Sequence, residues 1–412
     1  MHLFKFPDIQ CDASTTSFIE DWITHLCNPD SDCLIMPRTP SPAKRKGPHE
    51  DLEATPTNPS SFSRFTFDRA SISTSDTASD SGLSGASRRS ASPKKREREL
   101  RQATEYPLRR DKVTNRPEPT SLMRELYTLQ DAPVIPSTVK VCAALTKDSS
   151  WGNQPRDAWF YTASSDESTQ EGSFDNDMYT YRRLCKIREK SIRCGTQMEH
   201  EAGWNDSVHA PLLEVALDDE PSVSYRNVTS CRVLPNFRQD DQWLNVKIDY
   251  TILLDFSPES DFTSTVEAYR KSDAGTLHVT HIQLPDNPDT PAAIPIETKS
   301  ANAEMVSGPA QLAAWARTHF DFLSRLPSAA QLPVLPVIFV HGARWRVDFA
   351  ERAHGKLVMW EGFEMGYSDE VRGCYSIVSH LRQLARWARE DFAPWLQAAM
   401  LAPPADEISD VP

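Results

Sequence analysis

The residues best suited to chemistry in this 412-residue chain are three charged side chains on two predicted strands. Asp249 lies in the run VKIDYTILL, and Glu297 and Lys299 end the run AAIPIETK. Residues two apart on a strand point to the same side, so Glu297 and Lys299 project together, and Asp249 joins them if the two strands are neighbours. We expect the three charged groups to lie within about 4–7 Å of one another.

Two adjacent carboxylates suit Mg²⁺, because this ion prefers oxygen ligands and keeps several of its waters. A lysine beside the ion can orient or deprotonate a water molecule when its ammonium group is partly desolvated. Together these groups can hydrolyse a phosphodiester. The alternative is an ordinary cross-strand ion pair between Asp249 and Lys299. The apolar run before Lys299 favours an active site, because charges at the end of a buried strand are costly.

The elements that must position these residues follow from the hydrophobic pattern. Helical spacing marks the runs SLMRELYTL, MYTYRRLCKIREKSIRC, EAGWNDSVHAPLLEVAL and PAQLAAWARTHFDFLSRL. Short β-rich runs follow the third of these helices, and LPVLPVIFVHG is typical of a buried strand, since it is apolar without alternation. The last helix is predicted from about Tyr375 to Met400 with a break at Pro394. This order predicts a mixed α/β sheet with helices on both faces.

The pattern resembles the PD-(D/E)XK nuclease superfamily, whose motif is an aspartate on one strand and Glu-x-Lys on a second. The predicted element order fits the restriction-endonuclease-like αβββαβ core of that superfamily. More closely, the runs EAGWNDSVHAPLLEVAL, KIDYTILL, VTHIQL, PIETK, PAQLAAWA, LPVIFVHGARW and RQLARWA resemble the nuclease-like domain of many fungal proteins. Ile248 replaces the proline of the motif's name. The long gap from Asp249 to Glu297 needs an inserted hairpin through TLHVTHIQL, which this type of domain also implies.

The resemblance implies a Mg²⁺- or Mn²⁺-dependent nuclease that hydrolyses phosphodiester bonds of DNA or RNA and leaves a 5′-phosphate. The implied metal ligands are Asp249, Glu297, the carbonyl group of Thr298, and Glu201. Lys299 is the implied catalytic lysine. Gln311 lies in a Gln-x-x-x-aromatic motif, and its implied role is to steady the substrate or a water molecule.

Two of these roles, and the function as a whole, have alternatives. Glu201 falls in the first turn of a predicted helix, where the helix dipole favours an acid without any site. Gln311 also falls in a first turn, where a capping role competes. For the whole domain, the alternative to an enzyme is a catalytically inactive descendant that serves as a protein or nucleic-acid interaction module.

Composition divides the chain into tails and a folded part. Proline outnumbers glycine, 31 to 14, and the segment from about Pro37 to Pro119 consists mainly of Ser, Thr, Pro and charged residues, which cannot bury a core. We predict a disordered N-terminal tail over residues 1–117, a helical extension over 118–200, the nuclease-like core over 201–402 and a disordered C-terminal tail over 403–412.

The net charge of −13 argues against a generic basic clamp for duplex nucleic acid. Because the tail is nearly neutral, most of this charge belongs to the folded part, and a nucleic-acid surface must be local. The candidate cations for that surface are Arg182, Arg183, Lys186, Arg188 and Lys190. They lie close together on one predicted helix.

The chain is expected to be intracellular and to make no membrane contact. It has no basic-then-apolar signal pattern and no apolar run of about 18 residues. Two basic clusters of the predicted tail, residues 44–46 and 94–96, are candidate nuclear import signals, and solvated charge is the alternative. Eight cysteines without a CxxC pair argue against a zinc ribbon and a disulfide scaffold.

Overall fold

A computed structural model describes seven stretches of the chain: residues 92–140, 155–161, 170–237, 247–272, 278–284, 289–329 and 331–401. Residues 1–91 of the predicted N-terminal tail and the whole predicted C-terminal tail, residues 403–412, lie outside these described residues. The first basic cluster, residues 44–46, lies outside them as well.

A seven-stranded mixed sheet forms the centre of the described fold, in the order β1-β9-β8-β7-β6-β5-β4. Its strands are β1 (Leu108–Lys112), β4 (Val223–Asn227), β5 (Tyr250–Leu254), β6 (Ala292–Lys299), β7 (Leu335–His341), β8 (Arg344–Ala353) and β9 (Lys356–Tyr367). Strands β6 and β7 are parallel, whereas β5 is antiparallel to β6 and β8 to β7. A separate pair is formed by β2 (Ile135–Pro136) and β3 (Phe160–Tyr161).

Helices flank this sheet. They are α1 (Pro93–Arg101), α2 (Ser121–Asp131), α3 (Gln170–Thr196), α4 (Glu201–Trp204), α5 (Ala210–Leu217), α6 (Asp261–Lys271), α7 (Ser307–Leu323), α8 (Val371–Trp387) and α9 (Ala393–Met400). The succession α4–α5, β4, β5, β6, α7, β7 is an αβββαβ order, so the predicted fold class is confirmed. None of the described helices combines the length and apolarity needed to cross a membrane.

The centre of the sheet is buried on both faces, which explains the continuous apolar runs of β6 and β7. Ile294 and Ile296 of β6 are fully buried. Helix α7 lies directly against β7, and Gly308 permits this contact because a Cβ atom there would overlap the ring of Phe339. The result is a rigid frame around the last residues of β6.

The insertion between β5 and β6 differs from the predicted hairpin. It contains helix α6, whose N-cap Ser260 accepts a hydrogen bond from the backbone N–H of Thr263 and whose buried residues include Phe262 and Val266. Residues 278–284 form bends, with one isolated bridge between Val233 and Ile282, so the strand predicted through TLHVTHIQL is wrong. The i, i+4 pattern within DFTSTVEAYRK is the helical signal that the hairpin interpretation overlooked.

The fold begins earlier than predicted, because α1 and β1 lie within the segment assigned to the tail. Ser92 caps α1 and Pro93 is its first residue, which is a favoured way to begin a helix. Leu100 is fully buried and Arg96 is 6% exposed. The assignment of residues 92–117 to a disordered tail is therefore wrong. The basic cluster at residues 94–96 is part of this helix, in which Lys94 and Lys95 are exposed and Arg96 is buried.

The break predicted at Pro394 is also absent. The chain stays helical from α8 through a π-helix (Ala388–Phe392) into α9, and Pro394 occupies the first turn of α9. A wider turn before a proline removes the need for its missing N–H and moves the preceding carbonyl away from the ring. The segment therefore continues as one interrupted helix.

We predict that the domain needs residues 92–117. Strand β1 is the edge strand beside β9, which would become the edge without it, and Arg110 of β1 forms an ion pair with Glu97 of α1 at 2.7 Å. Removing Leu100 and Leu108 alone forfeits about 1.5–3 kcal/mol each. A chain that starts at residue 118 should therefore unfold at lower urea concentration than one that starts at residue 92, or aggregate through β9. Equal urea midpoints for both truncations would show that α1 and β1 do not stabilise the domain.

Candidate active site

The last residues of β6, Glu297 to Lys299, lie together with Glu201 of α4. Glu297 and Lys299 point to the same side, as strand alternation predicts, and Lys299 Nζ lies 2.5 Å from Glu297 Oε1. The same ammonium group donates to Glu201 Oε2 at 3.0 Å and to the carbonyl oxygen of Thr298 at 2.7 Å. Lys299 is thus held by three oxygen atoms from α4 and β6.

Asp249 reaches this group from the neighbouring strand. It immediately precedes β5, and its backbone N–H donates to the carbonyl of Ile296 at 3.2 Å. Its Oδ2 atom accepts hydrogen bonds from the backbone N–H and from the hydroxyl of Thr298, both at 2.8 Å. The carboxylate of Asp249 is therefore fixed at the end of β6.

Glu297 is the most constrained member of the site. It is 1% exposed, and the ammonium group of Lys299 pairs with its Oε1 atom, whereas its Oε2 atom accepts no hydrogen bond from the described residues. Burial raises the pKa of Glu297 well above its usual range, and the negative charges of Asp249 and Glu201 add to this, although Lys299 opposes it. A buried carboxyl oxygen that accepts no hydrogen bond lowers the stability of the fold unless a cation or a water molecule binds it.

The pKa of Lys299 is also set by burial and by neighbouring charges, which here act in opposite directions. Burial lowers its pKa, but the negative charge of Glu297, with those of Glu201 and Asp249, outweighs burial, so the net pKa is raised. Its side chain is only 12% exposed. The partial desolvation expected for this lysine is thus present, and in this arrangement the group is an ammonium ion.

Glu201 and Gln311 occupy different positions relative to this cluster. Glu201 is the first residue of α4, and its contact with Lys299 gives it a partner within the site as well as a place near the helix dipole. Gln311 is the fifth residue of α7, and its side-chain amide donates to the carbonyl of Lys247 at 3.0 Å. The structure therefore shows Gln311 holding the segment before Asp249; it does not cap the helix.

Three residues near the cluster are not among the predicted site residues. Asn205 lies against the hydroxyl of Thr298, and His209 lies against Asn205. Arg96 of α1 is close enough for the Glu297 charge to act on it, although burial lowers the pKa of Arg96, and its Nε has no hydrogen-bond partner among the described residues. The helix-start pair Ser92-Pro93 is the sequence signal that could have indicated a helix around Arg96.

Comparison with known families agrees with this geometry. The family model of the PD-(D/E)XK nuclease superfamily matches residues 144–393, more than half of the chain. This chain belongs to the PD-(D/E)XK nuclease superfamily. Searches of curated proteins and of solved structures find no match to it. The family match contains every residue of the cluster at the end of β6, whereas Arg96 lies outside it.

The oxygen ligands available at this site can be compared with those that a divalent metal ion prefers. Within the described stretches, no three His, Cys, Asp or Glu side chains are grouped to bind an ion by themselves. The available set is smaller and purely oxygen-based: the two carboxylates of Asp249 and Glu297 with the carbonyl of Thr298. Magnesium is commonly held by one or two carboxylates and waters, so this set, in which Glu297 Oε2 has no hydrogen-bond partner among the described residues, fits such an ion.

Glu297→Gln should raise the free energy of unfolding in EDTA at pH 8, by about 1 kcal/mol or more. The folded-state pKa of Glu297 is above its unfolded value, so the wild type loses stability as the pH rises through the folded value. Glutamine removes that loss, and Lys299 keeps Glu201 as a partner. The gain should shrink at pH 5.5. Urea unfolding at both pH values measures it.

The matched control is Glu304→Gln, which changes an exposed acid outside the site and should leave stability unchanged. A loss of about 3–5 kcal/mol in Glu297→Gln would mean that Glu297 is a structural partner of Lys299.

Proposed function

We propose that this protein is a Mg²⁺- or Mn²⁺-dependent nuclease that hydrolyses phosphodiester bonds of DNA or RNA. The observation that carries the proposal is the buried carboxyl group of Glu297, which lies beside Asp249 and Glu201 and has the ammonium group of Lys299 on Oε1 but no hydrogen-bond partner on Oε2 among the described residues. Such crowding of acids is unfavourable for a purely structural cluster and is relieved by a cation. Membership of the nuclease superfamily supports the same chemistry. We also propose that the chain belongs to the fungal-type subgroup of this superfamily.

The roles proposed for the residues follow their positions. Asp249 and Glu297 would hold the metal together with the carbonyl of Thr298, and Glu201 would support the site from α4. A bound Mg²⁺ ion supplies positive charge to the phosphate oxygens and lowers the pKa of water. Lys299, held among three oxygens, would orient the attacking water beside the phosphate. We propose that Gln311 acts as a positioning residue, through the carbonyl of Lys247 that it contacts.

A non-catalytic interaction module is the second candidate. The observation that favours it is the complete set of three oxygen partners around Lys299, which can exist without a metal or substrate. In that case the cluster is a structural ion-pair network that ties α4 to β6. The two candidates predict opposite results for cleavage and for the thermal response to Mg²⁺.

Asp249→Asn and Glu297→Gln should each lower cleavage by about 100-fold or more, because a bound metal supplies several kcal/mol to the transition state. The assay uses the full chain with Mg²⁺ or Mn²⁺ on double-stranded DNA, single-stranded DNA and RNA. Both variants should also lose the Mg²⁺-dependent rise in melting temperature that the wild type shows.

Asp255→Asn is the matched control, since Asp255 is an exposed aspartate just beyond the other end of β5. It should cleave like the wild type. A wild-type protein that cleaves none of the substrates and whose melting temperature does not respond to Mg²⁺ would contradict the enzyme and favour the module.

Substrate binding in so acidic a chain needs a local basic surface, and we propose the exposed face of α3. Lys186, Lys190 and Arg193 are exposed on this face and form no ion pair with the described residues. Tyr179 is 58% exposed on the same helix, and Arg183 lies over its ring. Helix α3 packs on α4, which begins with Glu201, so the basic face belongs to the same part of the domain as the site.

The variant with Lys186, Lys190 and Arg193 changed to alanine should bind nucleic acid more weakly in EDTA. Each lost phosphate contact reduces the salt dependence of log K by about 0.9 for duplex DNA, so three contacts reduce the slope by about 2–3. Fluorescence anisotropy at several salt concentrations measures the slope. The control replaces three exposed cations elsewhere, Arg109, Lys271 and Lys356, and should keep the wild-type slope. Equal slopes in both variants would exclude α3 as the binding surface.

A further inference from the structure

A continuous chain of polar contacts leads from the β7–β8 turn to Asp249. His209 Nε2 lies 2.9 Å from the carbonyl oxygen of Gly342, and His209 Nδ1 lies 2.9 Å from the side-chain amide of Asn205. The same amide lies 2.7 Å from the hydroxyl of Thr298, which in turn lies 2.8 Å from Asp249 Oδ2. Neither Asn205 nor His209 touches the proposed metal ligand Glu297 or the catalytic Lys299 in this arrangement.

The protons of this chain can be assigned from its two ends. A carbonyl oxygen only accepts hydrogen bonds, so Gly342 requires a proton on His209 Nε2. His209 is fully buried, and burial lowers its pKa to about 4, so the ring is neutral at pH 7 and carries one proton. The Nδ1 atom of His209 is therefore an acceptor, and Asn205 must donate to it.

The orientation of Asn205 follows from this assignment. The structure places Asn205 Oδ1 at both contacts, 2.9 Å from His209 Nδ1 and 2.7 Å from Thr298 Oγ1, but the oxygen and nitrogen of an amide are told apart only by their hydrogen bonds. Because only the nitrogen can donate, we place Nδ2 at this position, where one N–H donates to His209 Nδ1 and the other to Thr298 Oγ1. Because the hydroxyl of Thr298 accepts from Asn205, its own proton is free to be donated to Asp249. The opposite orientation of the amide would draw the hydroxyl proton to Asn205 and leave two acceptors facing each other at Asp249.

The fold holds both ends of this chain rigidly. Asn205 and His209 are the first and last residues of a π-helix between α4 and α5, two residues before Pro211, which cannot donate to a regular helical turn. The His209 ring lies between the rings of Trp204 and Trp345. Gly342 adopts a left-handed backbone, with φ of 56°, and its N–H donates to the carbonyl of Lys299.

From this geometry we propose that Asn205 and His209 are positioning residues for Asp249, acting through the hydroxyl of Thr298. The relay directs a hydrogen-bond donor at the carboxylate of Asp249 and so fixes its rotamer for metal binding. This inference rests on the proposed nuclease function, and it adds two residues that touch neither metal nor substrate. Partners of this kind typically change metal affinity or activity by about 10–100-fold when they are removed.

The test uses Asn205→Asp in the full chain. Aspartate has the shape of asparagine but donates nothing, so it accepts from the hydroxyl of Thr298 and draws that proton away from Asp249. The Mg²⁺ concentration for half-maximal cleavage should rise about tenfold or more. The KM for nucleic acid at saturating Mg²⁺ should stay unchanged. A general loss of folding would not raise the Mg²⁺ requirement while leaving this KM the same.

Two further variants control for charge and position. Asn205→Ala removes the donor without adding charge, and it should shift the Mg²⁺ requirement in the same direction. Asp206→Asn makes the reverse exchange at an exposed residue of the same π-helix and should change neither parameter. A shift in Asn205→Asp alone, with none in Asn205→Ala, would identify charge repulsion as the cause and overturn the relay.

Two measurements test the relay without activity. Nitrogen NMR of the wild type at pH 7 should show His209 protonated on Nε2 only, and a proton on Nδ1 would overturn the assignment. A crystal structure of Asn205→Asp should show the hydroxyl of Thr298 turned from Asp249 to residue 205, and an unchanged contact with Asp249 would overturn the relay. If the wild type neither cleaves nor responds to Mg²⁺, the nuclease proposal fails, and these two results decide the relay alone.

Discussion

The interaction on which the site depends is the burial of the Glu297 carboxyl group beside three other charged side chains. Glu297 is buried, so its negative charge is stabilised mainly by neighbouring cations, and its Oε2 atom has no hydrogen-bond partner among the described residues. Lys299 supplies the nearest positive charge, and Arg96 adds an influence from α1. Because Asp249 and Glu201 add negative charge nearby, the cluster has the electrostatic character of a cation site.

The surrounding elements are arranged so that this crowding cannot relax. The parallel pairing of β6 with β7 and the antiparallel pairing with β5 fix the backbone on both sides of Glu297. Helix α4 begins at Glu201 and therefore brings a carboxylate to Lys299, while the following π-helix turns Asn205 toward Thr298. A backbone movement that separated Asp249 from Glu297 would break hydrogen bonds of the sheet ladder.

The N-terminal segment extends this design beyond the αβββαβ core. Strand β1 covers the edge of β9, and α1 packs on α7, the helix that carries Gln311. Arg317 of α7 donates to the carbonyl of Glu105 at 2.7 Å and so fixes the connection between α1 and β1. These residues therefore extend the sheet by one strand and support the electrostatics of Glu297 through Arg96.

The sequence by itself determined the features that arise from short-range periodicity. Alternation placed Glu297 and Lys299 on one side of β6, and continuous apolar runs identified β6 and β7 as central strands. Only the tertiary structure decided which residues of other elements lie near the end of β6. These residues are Arg96, Asn205 and His209. Their contacts join elements far apart in the chain, and local patterns carry no information about such pairings. The bends over residues 278–284 in place of the predicted strand have the same cause, since the bridge of Ile282 is made with the distant residue Val233.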